Sequence, residues 1–162
     1  MHVWAGAAPD LTIPAAQLSS AVYEKSTLPL REFEAARITI ARINDCQLCL
    51  GWRSGRDTPS RVAEADDIDE AFYAKVRARD YDGLTEREQL CAEFAELFAT
   101  DHLAMDDAFW ARLRSSFTDA EIVELTAMIG NWLAFGRFQA VLDVAEACAW
   151  MPPRSEDEKV GV

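Results

Sequence analysis

The sequence predicts an all-α, single-domain, multi-helical bundle, and three observations predict it. Apolar residues recur at helical rather than alternate spacing, helix-start chemistry appears repeatedly along the chain, and there is little strand signal. At 162 residues the chain is long enough to bury a core without staples. Half of its residues are apolar and 27% are charged, which is the balance of a folded rather than a disordered chain.

The elements follow in order. A first helix is expected from about Ala15 to Glu24. Ser26-Thr27-Leu28-Pro29 breaks it and starts the next, because proline is tolerated in a first helical turn. From Pro29 to about Arg42, the residues Phe33, Ile38, Ile40 and Ala41 fit a buried helix. Ile43-Asn44-Asp45 supplies a turn and a cap, and another helix opens at Cys46. Ser54 to Arg61, with Gly55 and Pro59, reads as a loop. Asp67-Ile68-Asp69-Glu70 caps a helix that runs to about Arg79, and Tyr81-Asp82-Gly83 is a turn. Thr85-Glu86-Arg87-Glu88 is a capping box before a helix that ends near Thr100. A helix after Asp106 carries Phe109, Trp110 and Leu113. A second capping box, Thr118-Asp119-Ala120-Glu121, leads the longest apolar stretch, Ile122 to Ala149. From Pro152 to Val162 the chain is polar and expected to fray. No repeat and no linker divides residues 1–162, so one domain is expected.

The net charge of −12 argues against a nucleic-acid partner, since phosphates are repelled and no Lys/Arg cluster stands out. No apolar run reaches the roughly 18 residues of a membrane span. Met1 to Ala8 lacks the features of a secretory signal. A cytoplasmic protein without membrane contact is therefore expected. In that compartment structural disulfides are rare, so Cys46, Cys49, Cys91 and Cys148 read first as redox groups, metal ligands or core filler. No Ser-His-Asp set, phosphate-binding glycine loop or HExxH motif is present, and no cofactor is expected.

The one motif that carries chemistry is Cys46-Gln47-Leu48-Cys49. Two thiols at i and i+3 share a helix face. At a helix start, the dipole and free N–H groups favour thiolate, and the spacing allows a reversible disulfide. A zinc site would need two more ligands from Cys91, Cys148, His2 and His102, and none of these forms a second CxxC or HxxxH. No metal is expected. Two core cysteines are the plainer alternative, and for Cys91 and Cys148, set in apolar helical stretches, the core reading is preferred.

The segment Leu30-Arg31-Glu32-Phe33-Glu34-Ala35-Ala36-Arg37-Ile38-Thr39-Ile40-Ala41-Arg42-Ile43-Asn44-Asp45-Cys46-Gln47-Leu48-Cys49 resembles the core of the carboxymuconolactone decarboxylase / alkylhydroperoxidase-D-like family. That family's pattern has a Glu twelve residues before CxxC and a His four residues after the second Cys. The resemblance extends weakly through Leu84–Arg137, and the family-like core spans about residues 14–148. It implies a bundle of the alkylhydroperoxidase-D-like type in trimers or hexamers, with a peroxide-reducing or disulfide-exchange site. By position it makes Cys49 the peroxide-attacking thiol, Cys46 the resolving thiol and Glu34 the carboxylate of the proton relay. A hydroperoxide substrate and an external dithiol reductant are the implied partners.

One position departs from the family: Arg53 stands where the His falls. Arginine does not give up its proton near neutral pH, so the relay does not transfer intact. Were the chain to reverse near Ile43-Asn44, Glu34 and Arg53 would lie equally far from the turn and face each other. An ion pair between them beside the thiols is therefore expected, with Arg53 lowering the Cys49 pKa. The competing reading leaves both charges in solvent.

His102, after Asp101 near a helix end, reads as a solvated or dipole-facing group rather than part of the site. The aromatic residues Trp52, Phe72, Phe94, Phe109, Trp110, Trp132, Phe135 and Phe138 read as core or subunit interface. Trp132 to Phe138 could instead line an apolar pocket near the thiols, with Asn131 and Arg137 as its polar groups. Three functions stay open. The first is a thiol-dependent peroxidase using Cys49 and Cys46. The second is a decarboxylase or lactone-processing enzyme on the same fold. The third is a non-catalytic helical module for redox sensing or oligomerisation.

Overall fold

The computed structural model describes residues 7–142, Asp66 by its backbone alone, and the regular structure among them is helical. The helices are α1 (Pro9–Lys25), α2 (Leu30–Ile43), α3 (Gln47–Gly51), α4 (Ser54–Asp57), α5 (Glu70–Ala78), α6 (Glu86–Thr100), α7 (Asp107–Ser116) and α8 (Asp119–Val141). Two 3-10 segments, Pro59–Asp67 and His102–Ala104, link α4 to α5 and α6 to α7. Cys148, His2, the end of the expected Ile122–Ala149 helix and the tail from Pro152 lie outside the described residues.

The central element is α2. It packs chiefly on α6, with α8 and α5 against its flanks. From Glu32 to Ala41 every side chain is buried, so α2 has no solvent face along that length. Apolar residues fill most of it, with Phe33, Ala35, Ala36, Ile38 and Ile40 in one core with Leu90, Phe94, Leu125 and Ile129. Burial of a Leu, Ile or Phe side chain stabilises by about 1.5–3 kcal/mol, so this packing dominates the fold. The charged residues of α2 are neutralised where they are buried. Glu32 accepts from Arg87 of α6 at 2.7 and 2.8 Å, and Glu34 pairs with Arg37.

Local chemistry sets the ends. Thr85 and Thr118 each form a complete capping box with Glu88 and Glu121, while Asp69 and Asp106 accept from the third residue on. The turn after α5 needs a left-handed residue at Gly83, φ +75°, and glycine takes it without a Cβ penalty. Glu124 of α8 accepts from Ser26 Oγ, Thr27 N–H, Thr27 Oγ1 and Leu28 N–H, tying the α1–α2 link to α8.

Two expectations need correction. The first helix begins at Pro9 rather than near Ala15, because Pro9 occupies its first turn and Pro14 is carried inside it. The stretch Ser54–Arg61 is not a loop: it folds as α4 and the start of the 3-10 segment. Gly55 is buried there, within 3.0 Å of the Ala65 backbone when a Cβ is placed on it, so this glycine serves close packing rather than a turn.

Candidate active site

The end of α2 fixes where the cysteines stand. The Cys46 N–H donates to the Ala41 carbonyl and the Asp45 N–H to that of Arg42, at 3.0 and 3.1 Å. This is a Schellman closure, with Asp45 in the left-handed conformation at φ 50°. An aspartate tolerates that conformation better than most residues. Cys46 then serves a second element: it is the N-cap of α3, and its Sγ accepts from the Cys49 N–H at 3.2 Å. One residue therefore ends α2 and starts α3, and the geometry of both cysteines follows. The two sulfurs are at disulfide-bonding distance, with Cα atoms 5.2 Å apart, inside the usual range for a bridge. Both residues are partly exposed, and Leu48 between them is exposed.

Beneath this pair lies a buried charge network. Glu34 is fully buried and Arg37 is 2% exposed. Arg37 donates from Nε and Nη2 to one Glu34 oxygen at 3.0 and 2.6 Å. Its remaining donors reach backbone: Nη1 to the Cys49 carbonyl at 2.6 Å and Nη2 to the Trp52 carbonyl at 2.8 Å. The other Glu34 oxygen accepts from the Ser54 N–H at 3.0 Å. Arg37 thus holds both ends of the segment 49–52 against α2, and Glu34 holds the start of α4.

Arg53 belongs elsewhere, and the expected Glu34–Arg53 ion pair is overturned. α3 stops at Gly51, so Arg53 does not continue the face of Cys49. Its guanidinium pairs with Glu70 of α5 at 2.7 Å and stacks on the Tyr73 ring at 4.0 Å from the centroid. It also donates to the Leu50 and Trp52 carbonyls. The cation that touches Cys49 itself is Arg37, through the Cys49 carbonyl.

Cys49 also lines a cleft between α1, α2 and α8, with an interior of about 80 Å³. Its other walls include Tyr23, Arg37, Asn44, Asn131 and Trp132. The stretch after Asn131 thus supplies a pocket wall beside the thiols, while Arg137 is exposed. Tyr23, Phe33 and Trp132 meet edge-to-face, with centroids 4.9–6.3 Å apart. Burial raises the Tyr23 phenol above its ordinary range, partly opposed by the Arg37 charge, so its hydroxyl stays a proton-bearing donor at neutral pH. Asn131 is 5% exposed, and neither atom of its amide has a hydrogen-bond partner. Sequence reasoning named Asn131 only as a polar member of this stretch and missed Tyr23 and Arg37.

The remaining candidates settle simply. Cys91 is fully buried in the core of α6, and burial pushes its thiol well above the ordinary range, as an inert core cysteine requires. His102 is exposed on its 3-10 turn. Among the described residues no cluster of three or more His, Cys, Asp or Glu could hold a metal. No helix among them is long and apolar enough to cross a membrane.

Fold and site define an all-helical protein that carries a partly exposed CxxC pair over a buried Glu–Arg network. The chain is similar to the uncharacterized protein YnjA of Escherichia coli (strain K12), with 29% identity over 115 residues. That match covers 71% of this chain and 59% of YnjA, so the chain spans about three fifths of that relative's length. No protein-family model matches the chain, and no solved structure matches it.

Proposed function

We propose that this protein is a thiol-dependent peroxidase of the alkylhydroperoxidase-D-like kind. Cys49 is its attacking thiol and Cys46 its resolving thiol. The observation that carries the reading is the partly exposed pair Cys46–Cys49, pre-set for disulfide formation, with Cys49 open to a cleft. In the reduced protein the Cys49 thiolate attacks the terminal oxygen of a hydroperoxide. The S–O bond forms, the O–O bond breaks, and the leaving alkoxide takes a proton from water to become the alcohol. The Cys46 thiol then attacks the Cys49 sulfenic acid, releasing water and closing the disulfide. An external dithiol reduces the disulfide and is itself oxidised. Glu34 supports this chemistry through Arg37 by holding the Cys49 carbonyl, rather than by touching sulfur. Arg53 is a brace between α3 and α5.

The resemblance in sequence and the Leu11, Ile13, Leu18, Val123 and Val141 side chains left exposed on α1 and α8 support a homo-oligomer. The acidic balance supports a protein that avoids nucleic acid.

The test is hydroperoxide consumption with a small dithiol donor, for wild type, Cys46→Ser and Cys49→Ser. Turnover in wild type and its loss in Cys49→Ser is the expected result. Cys46→Ser should give a single oxidation event with accumulation of sulfenic acid. A Cys49→Ser protein that keeps full activity on some other substrate would replace this reading with a non-redox enzyme.

A further inference from the structure

The cleft beside Cys49 contains a polar group that the fold does not use. A buried amide normally finds partners, because leaving its atoms unmade costs stability. Asn131 is buried in the wall of the cleft with its carbonyl oxygen and its amide nitrogen both unpaired. Its amide carries one acceptor and two donors, and Asn131 and Cys49 line the same cleft. Trp132 and Tyr23 share the wall.

The charge at this spot decides what these groups can hold. Arg37 lines the cleft, but its guanidinium is already bound to Glu34 and to the Cys49 and Trp52 carbonyls. An anionic head group would therefore bring an uncompensated charge. A neutral group with both a donor and an acceptor matches the amide instead. The end of a hydroperoxide has that pairing, since its O–H donates and its oxygens accept. The interior of about 80 Å³ takes a head group of a few heavy atoms.

We infer that Asn131 is the binding residue that holds the uncharged head group of a small hydroperoxide against Cys49, and that the cleft selects neutral over anionic substrates. This inference rests on the peroxidase reading. The carbonyl of Asn131 accepts a hydrogen bond from the hydroperoxide O–H, and its NH₂ donates to the oxygen that leaves. The bond changes are those of the first oxidation step: S–O forms, O–O breaks, and the departing alkoxide takes a proton from water to become the alcohol.

The test uses the full chain, reduced, with tert-butyl hydroperoxide as the substrate probe and acrylonitrile as a neutral thiol reagent that offers no donor. In Asn131→Leu, oxidation of Cys49 by tert-butyl hydroperoxide should slow about tenfold or more, the loss of one or two hydrogen bonds. Alkylation of Cys49 by acrylonitrile should stay within about twofold of wild type, because the thiol itself is unaltered. The melting temperature should not fall, since leucine replaces an amide that the fold leaves unpaired. Should leucine disturb folding, Asn131→Ala reads the same two rates. Equal slowing of both reagents, or unchanged oxidation, overturns the inference. Wild type that reacts with acrylonitrile but with no hydroperoxide sinks the peroxidase reading and the hydroperoxide assignment together. The binding role of Asn131 is then judged by protection. tert-Butyl alcohol slowing acrylonitrile in wild type but not in Asn131→Leu upholds it, and equal or absent protection removes it.

Discussion

At the scale of single residues, the site depends on Arg37, whose donors join a carboxylate to two backbone carbonyls. Burying two charges is costly, and a pair survives only when further hydrogen bonds serve its remaining donors and acceptors. Glu34 and Arg37 meet that condition, with the Ser54 N–H and the Cys49 and Trp52 carbonyls completing the set. Arg37→Met would leave Glu34 buried without its cation. A loss of about 3–5 kcal/mol in urea unfolding is expected. The double variant Glu34→Leu/Arg37→Met should recover most of that loss, because the stranded charge is gone. Equal destabilisation in single and double variants would mean that the carbonyl contacts, not the charge, carry the energy. Glu34 was legible in the sequence through family resemblance, but Arg37 was not. A Glu and an Arg three residues apart on a helix ordinarily read as an exposed pair. The available clue was that Phe33, Ala35, Ala36, Ile38 and Ile40 surround them and leave α2 no polar face.

At the scale of elements, the chain declares its helix starts and hides its close contacts. The capping boxes at Thr85 and Thr118 are local, so they could be read from four residues each, and α6 and α8 begin where those residues place them. The turn at Asn44-Asp45 was also legible. Its docking was not, because Asn44 donates across 88 residues to the Trp132 carbonyl at 3.1 Å, and sequence spacing carries no trace of that distance in the chain. Two glycines of α8 should respond to substitution with opposite signs. A Cβ at Gly130 meets Phe98 Cζ at 3.7 Å, ordinary contact, so Gly130→Ala should stabilise by up to about 1 kcal/mol through helix propensity. A Cβ at Gly136 would overlap the Asn44 side-chain amide and stand 3.3 Å from its Cβ. There the propensity gain is outweighed by overpacking, about 1–3 kcal/mol, and by the displaced hydrogen bond. Gly136→Ala should therefore destabilise by about 1–2 kcal/mol and slow re-formation of the Cys46–Cys49 disulfide, since Asn44 anchors the turn that sets Cys46. Thermal unfolding of both variants and the rate of reoxidation after reduction check this pair. A stabilised Gly136→Ala would show that Asn44 swings aside freely.

At the scale of the whole molecule, three helices are joined through one arginine, and this connection makes the fold sensitive to acid. Arg87 of α6 binds Glu32 of α2 and Glu121 of α8, donates to the Ser116 carbonyl, and stacks on Phe117 at 4.0 Å. The Thr118 backbone N–H, then Arg87 and the Thr118 hydroxyl, hold the Glu121 carboxyl down at about 2, against an ordinary 4.5. Burial pushes Glu124 upward, but donors from Ser26, Thr27 and Leu28 outweigh it and keep that group low as well. A carboxylate whose pKa is lower folded than unfolded adds stability above its unfolded pKa. That stability is lost as the pH falls toward the folded value. Glu121 should therefore support the fold fully above about pH 4.5 and lose its contribution between there and about pH 2. Solvent screening keeps the contribution near about 1 kcal/mol. The net charge of −12 acts in the opposite direction, because protonating the other carboxylates relieves self-repulsion. The two effects separate in a difference measurement. The gap in melting temperature between wild type and Glu121→Gln should be constant from neutral pH to about 5 and close progressively below 4.5. A gap that stays constant down to the acid limit would mean that Glu121 acts as a neutral cap on α8 and not as the charge that ties α8 to Arg87.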